Sequence, residues 1–203
     1  MRVIAGIYRS RILKSLKGLA LRPTSDRLRE TLFNVLAPNI AGARFVDLFA
    51  GTGAIGIEAL SRGVAEVVFI ENHAPAATLI RRNLESLGIN TAATVLAVDA
   101  LRGLAMLAAR KNSGAPAFDC IFLDPPYAAA ADYSRVLEFL GWADLLAPGG
   151  IVVAEHRRNV DLPEEPGALR RFRVLKQGDA ALSFYRRHSE TGGGTSGENN
   201  SAE

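Results

Sequence analysis

The 203-residue sequence predicts an α/β fold: a mostly parallel sheet of seven strands whose last two form an antiparallel hairpin. Three observations carry this. Short apolar runs alternate with helical patterns between residues 45 and 155, and right-handed crossovers make such a series parallel. A glycine-rich turn follows the first run, Asp47-Leu48-Phe49-Ala50-Gly51-Thr52-Gly53-Ala54-Ile55-Gly56. Only Gln177-Gly178-Asp179 separates the last two runs, too little chain for a parallel crossover.

In chain order, residues 1–23 read as a small basic appendage. Val3-Ile4-Ala5 and Arg11-Ile12-Leu13 predict a short hairpin around Ile7-Tyr8-Arg9-Ser10, and Lys17 to Pro23 a loop. Pro23 holds Arg22 extended. Thr24, Ser25 and Asp26 are helix caps for a segment with Leu28, Leu32, Val35 and Leu36 on one stripe, ended by Pro38 and Gly42. Phe45–Phe49, Glu66–Ile70, Thr91–Ala97, Phe118–Leu123 and Gly150–Glu155 are the predicted parallel strands. Between them lie helices Ala54–Arg62, Ala74–Leu87, Ala100–Arg110 and Asp132–Leu145, the first two closed by Gly63 and Gly88. Leu169–Lys176 and Ala180–Arg187 make the final hairpin. The expected organisation is a hairpin and loop over residues 1–23, one α/β domain over 24–188, and a disordered polar tail over 189–203.

Composition narrows the function. Hydrophobic residues make up 48 % of the chain, enough for a real core. A single cysteine, Cys120, excludes an internal disulfide framework and a cysteine-rich zinc site. His73, His156 and His188 match no metal spacing, so no metal is expected. No apolar run approaches a membrane span, and the apolar part of the first six residues is too short for a signal peptide, so the expected place is the cytoplasm. The net charge of +3 divides unevenly: residues 1–44 carry +7 and the remainder −4. A basic front on a near-neutral body predicts binding to a polyanion, with a solvated surface as the plainer reading. Arg9, Arg11, Lys14, Lys17, Arg22, Arg27 and Arg29 are the expected contacts to its phosphates.

Gly51, Gly53 and Gly56 fit G-x-G-x-x-G between a strand and a helix, and Glu71 ends the next strand where a carboxylate accepts hydrogen bonds from a ribose diol. The spacing superficially satisfies a dinucleotide fingerprint. Asp47, just before the glycines, opposes a pyrophosphate by Coulomb repulsion and suits an ammonium group instead. S-adenosylmethionine has an ammonium, a sulfonium, a ribose diol and no phosphate. Asp99 is placed to accept from an adenine amino group, with the backbone N–H of Ala100 on a ring nitrogen; its plainer role is a helix N-cap, and the two are compatible.

The fourth strand runs into Asp124-Pro125-Pro126-Tyr127. Two prolines stiffen the loop and remove two N–H donors, leaving carbonyl and carboxylate acceptors. Acceptors are what an exocyclic amine needs: they favour pyramidal nitrogen and stabilise the positive charge that develops as it attacks a methyl group. Tyr127 supplies a flat face for a base. Asp124 either orients the amine or takes its proton.

Asp124-Pro125-Pro126-Tyr127 resembles the [DNS]-P-P-[FYW] motif of methyltransferases acting on exocyclic amines of nucleobases. Residues 1–187 as a whole resemble the bacterial family that converts a guanine of 16S ribosomal RNA to 2-methylguanine. The specific segments are Gly6–Arg11, Arg22–Phe33, Asp47–Gly63 and Asp124–Tyr127. The resemblance implies a Rossmann-like class I methyltransferase domain with a small N-terminal hairpin, S-adenosylmethionine as donor, and a monomer acting on the assembled 30S particle or a late precursor. It implies a donor loop of Asp47, Gly51, Thr52, Gly53 and Gly56, with Glu71 on the ribose and Asp99 beside adenine. It implies a catalytic motif of Asp124, Pro125, Pro126 and Tyr127, and places Thr24, Arg27 and Glu30 near cofactor or target base. Ser10 departs from the family's usual glycine in Arg9-Ser10-Arg11, a position where φ > 0 comes cheaply only to glycine, and His73 stands where an acid is often found. An adenine-amine methyltransferase shares the same acceptor motif. A nicotinamide oxidoreductase leaves Asp-Pro-Pro-Tyr unexplained, and a non-enzymatic RNA-binding assembly protein does not need the Gly51–Glu71–Asp99–Asp124 set.

Overall fold

The computed structural model describes residues 1–15, 24–126 and 130–188. Lys17, Arg22, the loop to Pro23, Tyr127 and the tail expected over 189–203 lie outside the described residues. The sheet contains β1 (Arg44–Leu48), β2 (Glu66–Ile70), β3 (Ala93–Leu96), β4 (Phe118–Leu123), β5 (Leu146–Arg157), β6 (Leu169–Gln177) and β7 (Ala180–Arg187). Their order is β3-β2-β1-β4-β5-β7-β6. The first five pair in parallel, and β7 pairs antiparallel with both β5 and β6.

Strands β1, β2 and β4 are apolar runs because both of their faces are covered. One face carries α1 (Asp26–Leu36), α2 (Ala54–Ser61) and α3 (Ala74–Ser86), packed on Phe45, Val67, Phe69 and Phe122. The other carries α4 (Ala100–Asn112) and α5 (Ala130–Trp142), packed on Val46, Val68, Ile121 and Val152. Chain progression reverses between β1 and β4, so their carboxyl ends flank a crevice where open α/β sheets receive ligands.

Several boundaries differ from expectation. Strand β5 starts at Leu146, not Gly150, because Pro148-Gly149-Gly150 is taken up by a register shift between Phe118 and Cys120 of β4. Helix α5 ends at Trp142, and β3 is only four residues long. The N-terminal hairpin makes a single isolated bridge, Arg2 to Ile12, rather than two strands. It is not an appendage hanging off the domain: Val3 (1 % exposed) and Leu13 (2 %) are buried in the same core as α1 and α2. Its backbone is bolted down by buried polar side chains of α2 and α3. The Ile4 and Ala5 N–H groups donate to the Glu58 carboxylate at 2.7 and 3.0 Å, Tyr8 N–H to Ser61 Oγ at 3.0 Å, and Lys14 N–H to Asn83 Oδ1 at 2.9 Å.

Candidate functional site

The turn between β1 and α2 is fixed from four directions. Ala50 N–H donates to the Ile70 carbonyl, Gly51 N–H to Glu71 Oε2 at 2.8 Å, Gly53 N–H to the Ala50 carbonyl, and Gly56 N–H to Asp47 Oδ2 at 2.9 Å. This over-determination sustains φ of +60° at Phe49, a conformation that a side chain disfavours, next to +54° at Gly51 and +78° at Gly53. Gly56 serves packing: a Cβ there would stand 2.2 Å from the Phe69 ring, so only glycine lets α2 lie this close to β2.

Asp47 is 1 % exposed, and its carboxylate holds Gly56 N–H beneath the loop. Burial pushes its pKa up to about 7, against the Gly56 bond that lowers it, with the Glu71 charge raising it further. Glu71 itself is buried at the end of β2 and braces both the loop, through Gly51, and the start of α3, by accepting from His73 N–H at 2.8 Å. Asp99 is exposed and caps α4 by accepting from Arg102 N–H at 2.9 Å, with Ala100 buried beside it.

Across the crevice Asp124 leaves the end of β4, half-buried, followed by buried Pro125 and exposed Pro126. One step beyond the register pair Leu123–Ala154 it lies beside Glu155 on β5. Burial first, and then the Glu155 and Asp47 charges, hold the Asp124 pKa well above the ordinary carboxylate range. Glu155 is 7 % exposed and accepts from Thr24 Oγ1 at 2.7 Å, while Tyr133 Oη donates to its backbone carbonyl at 2.8 Å. Thr24 thus reaches the end of β5, beside Asp124. Glu155 had no sequence signal beyond standing at the end of a strand.

The ends of β2, β1, β4 and β5 therefore line up Glu71, Asp47, Asp124 and Glu155. Carboxylates at these strand ends, with that of Asp47 turned beneath the loop, repel a pyrophosphate and suit a ligand with cationic groups. That fits S-adenosylmethionine and does not fit a nicotinamide dinucleotide.

The expected RNA contacts divide. Arg9, Arg11, Lys14 and Arg27 are exposed. Arg9 sits at the hairpin tip, where Ile7 and Tyr8 bond to Ser61 at the far end of α2, about 12 Å from the glycine loop by helix rise. Lys14 lies at the near end, since Asn83 binds both its backbone and the Thr52 carbonyl. Arg29 is a correction: it is 0 % exposed, bonded to Asp26 and to the Arg2 carbonyl, and reaches no phosphate. A basic hollow of about 610 Å³ beyond the end of β5 is lined by Arg157, Arg158, Asn159 and Asp179. Among the described residues no cluster of three metal-ligating side chains occurs, and no helix is long and apolar enough to cross a membrane.

Known proteins share this architecture. A Haemophilus influenzae protein named ribosomal RNA small subunit methyltransferase D is 41 % identical over 92 % of this chain and 92 % of its own length. The Escherichia coli K12 protein of the same name is 34 % identical over 94 % and 91 %. The solved structure of Escherichia coli yhhF superposes with a TM-score of 0.80 at 30 % identity, covering 94 % of this chain and 99 % of that one. Residues 1–186 match the family described as conserved hypothetical protein 95, and the chain belongs to that family.

Proposed function

We propose that this protein transfers a methyl group from S-adenosylmethionine to the exocyclic 2-amino group of a guanine in small-subunit (16S) ribosomal RNA. It acts as a monomer in the cytoplasm, on the 30S particle or its late precursor. One observation carries the reading: the glycine loop after β1 and Asp124-Pro125-Pro126 after β4 border the same crevice, so a donor and an amine acceptor meet there. The named relatives, which act on small-subunit ribosomal RNA, support the choice of substrate.

When bound, S-adenosylmethionine supplies an electrophilic methyl group on a positively charged sulfur. The backbone of Gly51, Thr52 and Gly53 forms its wall, Glu71 receives the ribose hydroxyls, and Asp99 with the Ala100 N–H receives the adenine. Asp47 acts from below by holding the loop. Asp124 and the Pro125 carbonyl accept from the target amine and fix it in line, which supplies most of the acceleration through positioning and electrostatics. Asp124 is also the group to take the amine's proton, because its surroundings raise its proton affinity. Tyr127 stacks on the target base. Arg9, Arg11, Lys14, Lys17, Arg22 and Arg27 hold RNA phosphates, with Arg157 and Arg158 as further cations beyond the end of β5.

Labelled S-adenosylmethionine, offered with 30S particles, naked 16S RNA and duplex DNA, tests this. Labelled 2-methylguanosine from 30S particles is the expected product. Labelled methyladenine would replace the guanine reading with the adenine one, and no transfer to any substrate would reject methyltransferase activity.

A further inference from the structure

Two tight turns meet beyond the ends of β5 and β6. Arg157, Ala180 and Gln177 form one row across β5, β7 and β6. The chain turns at Arg158-Asn159 after β5 and at Gly178-Asp179 between β6 and β7. Arg158 N–H donates to the Asp179 carbonyl at 2.8 Å and clasps the turns together, and Val160 N–H closes the first of them on the Arg157 carbonyl at 3.0 Å. Buried His156 braces that carbonyl: its Nδ1 lies 2.9 Å away, while its Nε2 bonds Ser183 Oγ at 2.8 Å. The backbone is thus fastened, yet the side chains of Arg158, Asn159 and Asp179 are exposed and, among the described residues, unpaired. With Arg157 they line the hollow of about 610 Å³. That volume lies within the roughly 300–1,000 Å³ of small-molecule sites.

The hollow adjoins the candidate active site. Glu155, beside Asp124, stands two residues before Arg157 on β5, so the hollow opens about 7 Å past Glu155 by strand rise. Glu155 and Arg157 project from the same face of the strand. On that face α1 is tied to both places: Thr24 donates to Glu155, and Thr31 Oγ1 meets the Gln177 side-chain amide at 3.0 Å, with exposed Arg27 between these anchors. In a strand whose target guanine sits at Asp124, the next nucleotide bridges such a distance. The lining also differs from a plain anion site. Arginines alone suit any phosphate, but Asp179 opposes a free anion and forms no ion pair among the described residues. A carboxylate beside a carboxamide accepts from the amino group of a base, and a guanidinium takes the phosphate. Adenine, cytosine and guanine carry such an amino group, and uracil carries none.

We propose that this hollow is a second nucleotide site, which takes the RNA nucleotide next to the target guanine. Arg158 holds its phosphate, and Asp179 with Asn159 receives an amino-bearing base. This deepens the methyltransferase reading and rests on it.

The sign of one substitution is the test. Removing a mere surface carboxylate strengthens binding to a polyanion, whereas removing a base acceptor weakens it. D179A should weaken binding of 30S particles about fivefold or more, with the salt slope unchanged. R158A should lower the slope of log affinity against log salt by about 0.7–0.9. Against wild type, short single-stranded RNA of adenosine or cytidine should displace 30S particles better than RNA of uridine, and D179A should erase that ranking. S-adenosylhomocysteine affinity, measured by calorimetry, should persist in both variants. Should D179A fail to fold, D179N, which suits the same turn, takes its place with the same sign expected. Unchanged or tighter 30S binding on loss of Asp179, a parental salt slope in R158A, or uridine RNA that competes as well as the others would each overturn the proposal and leave wild-type methylation of 30S particles untouched. Wild-type protein that methylates no 30S particle would instead remove the methyltransferase reading itself, and the proposal with it.

Discussion

Replacing Asp47 with asparagine should remove a pH-dependent weakness from the ligand-free protein. Asp47 lies wholly inside the fold, and burial pushes its pKa from 3.8 to about 7. Below the unfolded value both states carry the proton and the group is neutral toward stability. As pH rises, the unfolded chain releases the proton while the folded protein keeps it, and the folded state then binds more protons. Stability must fall across this window, by about 4 kcal/mol for a shift of this size, and the loss is complete once pH passes the folded value. Asparagine keeps an Oδ1 to accept from Gly56 N–H, so the loop bond survives, and any cost of the new amide N–H groups is independent of pH. Urea unfolding of both proteins between about pH 4 and pH 8 gives the test. The stability of wild type relative to D47N should decline with pH through the window and level off above it. A difference that stays flat would mean that Asp47 titrates normally and that burial does not govern its charge.

Three further outcomes follow from named side chains. Asp124→Ala should lower turnover by about 100-fold or more, as for loss of a positioned proton acceptor, while S-adenosylhomocysteine affinity measured by calorimetry changes little. In wild type, turnover should fall on acidification at a pH above the ordinary carboxylate range, because protonation of Asp124 removes the acceptor and its pKa is raised. Ser10 has φ of +67° at the hairpin turn, so Ser10→Gly should raise stability by about 1 kcal/mol in urea unfolding, and an unchanged midpoint would show the turn to be unstrained. Changing Arg9, Arg11, Lys14 and Lys17 together to alanine should flatten the salt dependence of 30S binding, by about 0.7–0.9 in slope for each phosphate that is no longer neutralised. S-adenosylhomocysteine affinity should persist, and a parental salt slope would move RNA binding to Arg27, Arg157 or Arg158.

Much of this was legible in the chain. Strands buried on both faces must be apolar throughout, which is why β1, β2 and β4 were visible, and the glycine loop fell where a strand meets a helix. Glu71 directly follows β2 and Asp99 caps the helix after β3, so their places followed from the alternation of strands and helices. What escaped the sequence depends on the meeting of distant segments. Arg29 looks like one more charge in a basic front, and only Asp26 and the Arg2 carbonyl, meeting it inside the fold, reveal it as buried. Glu155 becomes part of the site through Thr24, 131 residues away, and through its strand neighbour Asp124. The bond from Gly56 N–H to Asp47 was not legible either, because which way a carboxylate turns is decided by packing. The early start of β5 was hidden by Pro148-Gly149-Gly150, which reads as a turn unless a bulge in the pairing absorbs it.

The hairpin that Glu58, Ser61 and Asn83 fasten down has a bearing on the order of folding. Its bonds span 53, 54 and 69 residues. During synthesis the hairpin leaves the ribosome ahead of its partners and must wait for α2 and then α3 before it can dock. Until Asn83 emerges, Val3 and Leu13 have no complete seat, and their apolar surface is exposed to any other protein nearby. Loop-closure entropy over such separations also makes this docking a late event in refolding from denaturant. A segment made before its partners is thus among the last to be secured, as a latch fastened across α2 and α3.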